Sequence, residues 1–217
     1  MTLVRRATCT RACGQLTAAR RWTWSDGGMS DVFGAYISGQ LAYTLDVGLL
    51  YAPTINSYKR YVPDQFAGTA IVVGHDNRTC AFRLVGEGES YRLENRIPGA
   101  DTNPYLAYAG TIAAGLAGVT GGLGRPDVFS GNAYRDDSLT LMPSSLQESL
   151  ANFSESKIAL HALGAQVHEH LRGFYAQAAR VQLRDRHRVG TAALLRSYLV
   201  GALGNAGSGM AGILTTR

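Results

Sequence analysis

The chain is short of the residues that mark several protein classes. It has only three cysteines, Cys9, Cys13 and Cys80, among 217 residues, and so sparse and odd a count argues against a disulfide framework and fits a reducing, cytoplasmic setting. No second Cys/His pair stands at zinc-like spacing from Cys9 and Cys13, so no structural zinc is expected. No apolar run reaches the roughly 18–20 residues of a membrane span, and the basic N-terminus lacks the apolar core of a secretory signal. No membrane partner is expected. The sequons at Asn77 and Asn152 then have no route to glycosylation.

Charged residues make up only 17% of the chain, whereas the 26 glycines are nearly twice the usual share of roughly 7%. With 46% hydrophobic residues the composition is that of a globular domain able to bury a core. The net charge of +5 is unevenly spread. Residues 1–27 carry five Arg against Asp26, and 172–217 carry seven Arg against Asp185, with no Lys at either end, so the region between them is acidic. The Arg-rich tail matches no recognition motif, so no nucleic-acid partner is expected.

The apolar residues Val32, Phe33, Tyr36, Ile37, Leu41, Leu45, Val47 and Leu49 recur at helical spacing over 31–50 and stop at Tyr51-Ala52-Pro53. A short apolar run at 70–74 reads as a buried strand, and the alternations at 79–85 and 90–97, separated by Gly86-Glu87-Gly88-Glu89, read as a hairpin. Asn103-Pro104 opens a second helix running to about Val119, whose alanines and glycines imply close packing. The glycines at 121–126 read as a connection. Helical segments follow near 144–152, 154–163 and 164–182. The fold class expected is therefore α/β (α+β), antiparallel strands packed by helices. His168 and His170 point apart on a helix and read as surface residues, and the lone His75 and His161 read as structural.

The chemistry-bearing residues are Arg60, Arg78, Arg83, Arg92, Glu94 and Arg96. A period of two puts Arg92, Glu94 and Arg96 on one strand face, with one carboxylate between two guanidiniums. A solvated face would carry that pattern. So would a face built for phosphates, a carboxylate substrate and a hard divalent cation, because Arg binds phosphate and carboxylate oxygens bidentately and Glu oxygens suit such ions.

Three strings decide between these readings: 50–63, which includes Asn56-Ser-Tyr-Lys-Arg60; 76–83, Asp-Asn-Arg-Thr-Cys-Ala-Phe-Arg; and 92–107, which starts Arg-Leu-Glu-Asn-Arg-Ile-Pro-Gly-Ala-Asp. In that order and at those intervals they resemble the C-terminal part of the glutamine synthetase catalytic domain, from about Asp26 to about Arg180. The resemblance implies that Arg60 and Arg96 bind glutamate, that Arg78 stabilises phosphoryl transfer, that Arg83 and Arg92 contact ATP, and that Glu94 ligates Mg2+ or Mn2+. The implied reaction is ATP-dependent ligation of the glutamate γ-carboxyl to ammonia or an amine through γ-glutamyl phosphate. It also implies a homo-oligomer with sites between neighbours.

Two departures matter. Where glutamine-forming members carry a flap Glu that helps deprotonate ammonium, this sequence has Phe66, which takes no proton; the resemblance is closer to the γ-glutamyl-amine, polyamine-type ligases. The family's β-grasp domain and the first catalytic segment, with its further metal-binding residues, are not readable. The expected organisation is thus an unmatched basic segment 1–27, a partial catalytic domain 28–182 and an unmatched basic segment 183–217. Met1–Thr10 can be encoded so that the frame starting at the third base reads Asp-Ala-Arg-Ser-Ser-Cys-His-Val-His, the missing family motif. Codons for 187–199, read one base later, give Thr-Gly-Trp-Glu-Arg-Arg-Arg-Tyr-Phe-Glu, like the family's closing segment. Two frameshifts are therefore expected, with poorly packed ends; the alternative function is a non-catalytic fragment of a disrupted ligase gene. Translating the coding DNA in all frames should reveal both hidden motifs, and finding neither would eliminate the frameshifts.

Overall fold

In the computed structural model the described residues are 23–25, 28–62, 64 and 67–180. They fall in two compact units, Met1–Ala176 and Gln177–Arg217, and residues 177–180 of the second are helical. Phe66 lies outside the described residues, as do nearly all of the two expected unmatched ends. The exception is instructive. Residues expected to be loose are packed at 23–25: Thr23 is buried, strand β1 (Trp24–Ser25) pairs with β2 (Gly28–Met29), and the Trp24 ring meets Tyr91 edge-on at 4.8 Å.

Helix α1 (Asp31–Tyr51) begins where the sequence predicts. Ser30 Oγ accepts the Phe33 N–H at 3.1 Å, and Asp31 sits at the positive end of the helix dipole. Phe33, Ile37, Val47, Leu49, Leu50 and Tyr51 are all buried, so burial of this apolar surface holds the helix at the centre of the unit. Helix α2 (Pro104–Thr120) starts from an Asn103 cap with Pro104 at its first position. The two helices meet backbone to backbone. A Cβ added at Gly39 would lie 2.7 Å from Gly118 Cα, and one at Gly118 would lie 2.2 Å from the Ala35 carbonyl oxygen. Buried Gln40 donates to the Thr111 carbonyl at 2.5 Å, and the Tyr51 hydroxyl and Thr111 Oγ1 lie 3.1 Å apart. The Gln40 amide nitrogen and the Tyr51 and Thr111 hydroxyls of this seam are thus hydrogen-bonded, while Gln40 Oε1 is buried without a partner among the described residues.

Strands β3 (Ala70–His75), β4 (Cys80–Val85) and β5 (Arg92–Asn95) form one sheet in the order β3-β4-β5. The hairpin read at 79–97 is present: β4 and β5 pair antiparallel, with Arg83 opposite Glu94. The all-antiparallel expectation fails for β3, which pairs with β4 in parallel. Parallel neighbours usually need a crossover of about a dozen residues, yet only residues 76–79 join these two. The return passes directly over β3 at Gly74, where a Cβ would lie 2.8 Å from Asn77 Cβ and 2.9 Å from Cys80 Sγ. Glycine is therefore required at that position. Asn77 fastens the return, accepting from the Thr79 N–H at 3.0 Å and donating to the Gly131 carbonyl at 2.8 Å.

Helices α3 (Leu146–Glu155) and α4 (Lys157–Leu163) follow, α3 contacting α1 and α4 contacting α2, and helix α5 occupies 165–176 of the first unit. The break falls at Ser156, whose hydroxyl accepts the Ala159 N–H, rather than at Ser154. His168 is not a surface residue. It is buried, with Nε2 2.9 Å from the Phe153 carbonyl oxygen and its ring stacked on Phe153 at 4.6 Å, whereas His170 is exposed. Spacing told how the two imidazoles diverge but not which one faces the core. Among the described residues no helix is long and apolar enough to cross a membrane.

Gly118→Ala should destabilise the protein by about 1–3 kcal/mol through overpacking against a neighbouring backbone. Gly124→Ala, which meets nothing within 4 Å, should stay within about 0.5 kcal/mol of wild type. Denaturant unfolding followed by circular dichroism measures both.

Candidate functional site

The period-two alternation of β4 and β5 turns Arg83, Arg92 and Glu94 to one face. Arg83 Nη1 donates to Glu94 Oε2 at 2.9 Å, and Arg92 Nη2 stands 4.0 Å from Glu94 Oε1. The other guanidinium nitrogen of Arg83, Nη2, donates to Asp76 Oδ1. The Arg83 side chain is only 13% exposed. Burial works against its charge, but the hydrogen bonds and charges of Asp76 and Glu94 prevail and raise its pKa above the ordinary arginine value. Arg92 is further placed by donating from Nη1 to the Ser90 carbonyl at 3.1 Å.

Arg60 arrives from a separate motif. It ends a 3-10 turn, Ser57–Arg60, and its Nη2 donates to the Ile97 carbonyl just beyond β5, while its guanidinium carbon lies 5.2 Å from the centre of the Tyr61 ring. The turn is docked by Asp101, whose Oδ2 accepts from Ser57 Oγ at 2.6 Å and Thr54 Oγ1 at 2.9 Å. Burial opposes the Asp101 charge, yet those two hydroxyl donors and the nearby Arg60 hold its carboxyl below the usual range. Arg96 continues past β5, half-buried, with its backbone N–H donating to the Ala81 carbonyl at 2.9 Å.

Arg78 is exposed and lies on an open cleft of about 740 Å³ formed by residues 75–78 and 128–131. His75, read as structural, is exposed and lines that cleft too. Asp76 is the link: it lines the cleft and binds Arg83 of the sheet. The structure therefore brings Arg83, Arg92 and Glu94 into one cluster, sets Arg60 at the end of the same strand, and puts Arg78 on an adjoining cleft. Sequence reading passed over Asp76, Asp101 and the 128–131 wall. Asp76 had one signal, its place directly before Asn77-Arg78.

For the expected metal the described residues supply only part of a site. No group of three or more His, Cys, Asp or Glu side chains among the described residues is placed to hold a cation, and Glu94 is already paired with Arg83. Mg2+ is commonly held by one or two carboxylates, with waters and substrate phosphates completing its octahedral oxygen shell, so Glu94 would be one such carboxylate and the described residues form no all-protein cage. Cys80, the described cysteine, is buried, and burial pushes its thiol up to about 11.

The glutamine synthetase catalytic-domain family matches residues 23–189. A gamma-glutamylethanolamide synthetase, GlnA4 of Streptomyces coelicolor, is 50% identical over 157 residues, covering 72% of this chain and 33% of its own. A glutamate–isopropylamine ligase of a Pseudomonas species is 40% identical over 136 residues, covering 61% of this chain and 30% of its own. Among solved structures, ligand-free GmaS superposes with a TM-score of 0.67 at 25% identity, covering 75% of this chain and 38% of the other. The chain thus spans about a third of the length of the curated relatives it matches. The resemblance to γ-glutamyl-amine ligases, inferred from Phe66 and the neighbouring motifs, agrees with the names of these two relatives. On a family match that takes in all three motifs meeting at β5, the chain belongs to the glutamine synthetase family.

Proposed function

We propose that the chain carries the nucleotide-and-glutamate half of a glutamate–amine ligase site. The observation that carries this reading is the convergence of three separated motifs on β5, through Arg83 on Glu94 and Arg60 on the Ile97 carbonyl. Arg60 and Arg96 bind the carboxylates of glutamate. Arg83 and Arg92 bind ATP phosphates. Arg78, on the cleft beside Asp76, neutralises charge as the γ-carboxylate oxygen attacks the terminal phosphorus and ADP departs. The amine nitrogen then attacks the acyl phosphate carbon, inorganic phosphate leaves, and the nitrogen loses a proton to give the amide. Ammonia and small or polyamine-type amines are the candidate nucleophiles. Glu94 is one ligand among several for Mg2+ or Mn2+, the others coming from outside the described residues. The family implies a homo-oligomer acting in the cytoplasm, with the organisation 1–27, 28–182 and 183–217 described above.

A second reading has its own observation. Without a multi-carboxylate cluster among the described residues, a folded but non-catalytic remnant accounts for the chain equally in chemical terms. Purified protein incubated with glutamate, Mg-ATP and ammonia, ethanolamine or putrescine separates the two. Ligation predicts amine-dependent phosphate release that Arg78→Ala lowers by roughly 100-fold or more, the scale of losing one preorganised charge stabiliser. No phosphate release from protein with a native circular dichroism spectrum would establish the remnant.

A further inference from the structure

Glu94 stands between two guanidiniums, 2.9 Å from Arg83 and 4.0 Å from Arg92. Arg83, with 13% of its side chain exposed against 36% for Arg92, is the sheltered one and shares this single carboxylate with its neighbour, and an undercompensated charge away from water is costly. Asp76 supplies the second carboxylate, bonded to Arg83 Nη2. Its side chain is 78% exposed, which for an ordinary surface pair would mean a loose contact. Its backbone is not loose. Asp76 has a left-handed φ of 45°, its N–H donates to the Leu84 carbonyl at 2.9 Å, and the next residue, Asn77, is bonded on both sides. A non-glycine residue holds such a conformation when its surroundings over-determine it, so the carboxylate is presented from a fixed post.

We propose that Asp76 is the positioning residue for Arg83, holding its guanidinium over β5 independently of Glu94. The proposal rests on the reading of Arg83 as an ATP contact for its functional meaning, though not for its geometry. Asp76 leaves Glu94 able to change partners without releasing the arginine, and it ties the sheet face to the Arg78 cleft. The Arg83 bond also holds the Asp76 carboxyl below the usual aspartate range.

The full chain labelled with 15N tests this through the Arg83 guanidinium protons. Asparagine tolerates left-handed backbone as well as aspartate does, so Asp76→Asn removes the charge and keeps the turn; amide spectra confirm the fold of each variant. In Glu94→Gln the Arg83 protons should still exchange slowly with water, and in Glu94→Gln with Asp76→Asn they should exchange roughly tenfold faster or more. Equal rates in these two variants would overturn the proposal. Mg-ATP titration of wild type and Asp76→Asn supplies the independent arm, with binding expected to weaken roughly tenfold. Wild type that binds no nucleotide, with the exchange difference intact, would sink the functional reading and leave the positioning role standing. Nucleotide binding with no exchange difference would do the reverse.

Discussion

The charged face of the candidate site is built around one guanidinium that is mostly out of water. Arg83 is charged at any ordinary pH, and only 13% of its side chain is exposed, so opposite charge must be built around it. Glu94 does this from the neighbouring strand and Asp76 from the turn below. The requirement fixes the β4–β5 register, because sliding β5 by one residue would turn Glu94 to the opposite face. It likewise determines where the 76–79 return lies and, through it, where Arg78 meets the cleft.

The scaffold makes that arrangement possible by excluding side chains where backbones must pass. Gly74 lets the four-residue return cross β3, and Gly39 and Gly118 let α1 and α2 touch. The sheet and the α1–α2 pair are joined by polar contacts as well as by packing. Thr102 on the β5–α2 connection donates to the Tyr51 carbonyl at 2.7 Å, one residue after Asp101, which docks the turn bearing Arg60. Helix ends, turn and strand are thereby fastened to each other near the glutamate-binding arginines of the proposed site.

Much of this could be read from residues alone, for identifiable reasons. Helix starts were legible because Ser30 and Asn103-Pro104 are strong local signals, and the hairpin because two alternating runs flank the glycines at 86–89. Its register was not, since a four-residue turn there would set Arg83 opposite Arg92, whereas the longer connection of the structure sets it opposite Glu94. The parallel β3 was not legible. An apolar run has the same pattern in either direction, and a four-residue link looks like a hairpin turn until Gly74 is seen beneath Asn77. Burial of His168 was missed because the spacing of two histidines says nothing about where a partner such as Phe153 lies. Asp76 looked like a loop residue, since its value comes entirely from where the fold puts Arg83. The roles assigned to the arginines came from family resemblance, and geometry adds to them only their convergence.

The family match runs over 23–189, and the curated relatives are about three times as long as the part they share, so the central claim concerns a half-site: that the charged face of β4 and β5 and the adjoining cleft bind nucleotide and glutamate. The most direct measurement is a map of backbone amide shifts on adding Mg-ATP and then L-glutamate to the purified chain. The account predicts that ATP moves amides at 76–84 and 90–95, and that glutamate moves those at 57–61 and 96–99. Perturbations confined to the basic ends, or none at saturating ligand with the spectrum of a folded protein, would contradict it.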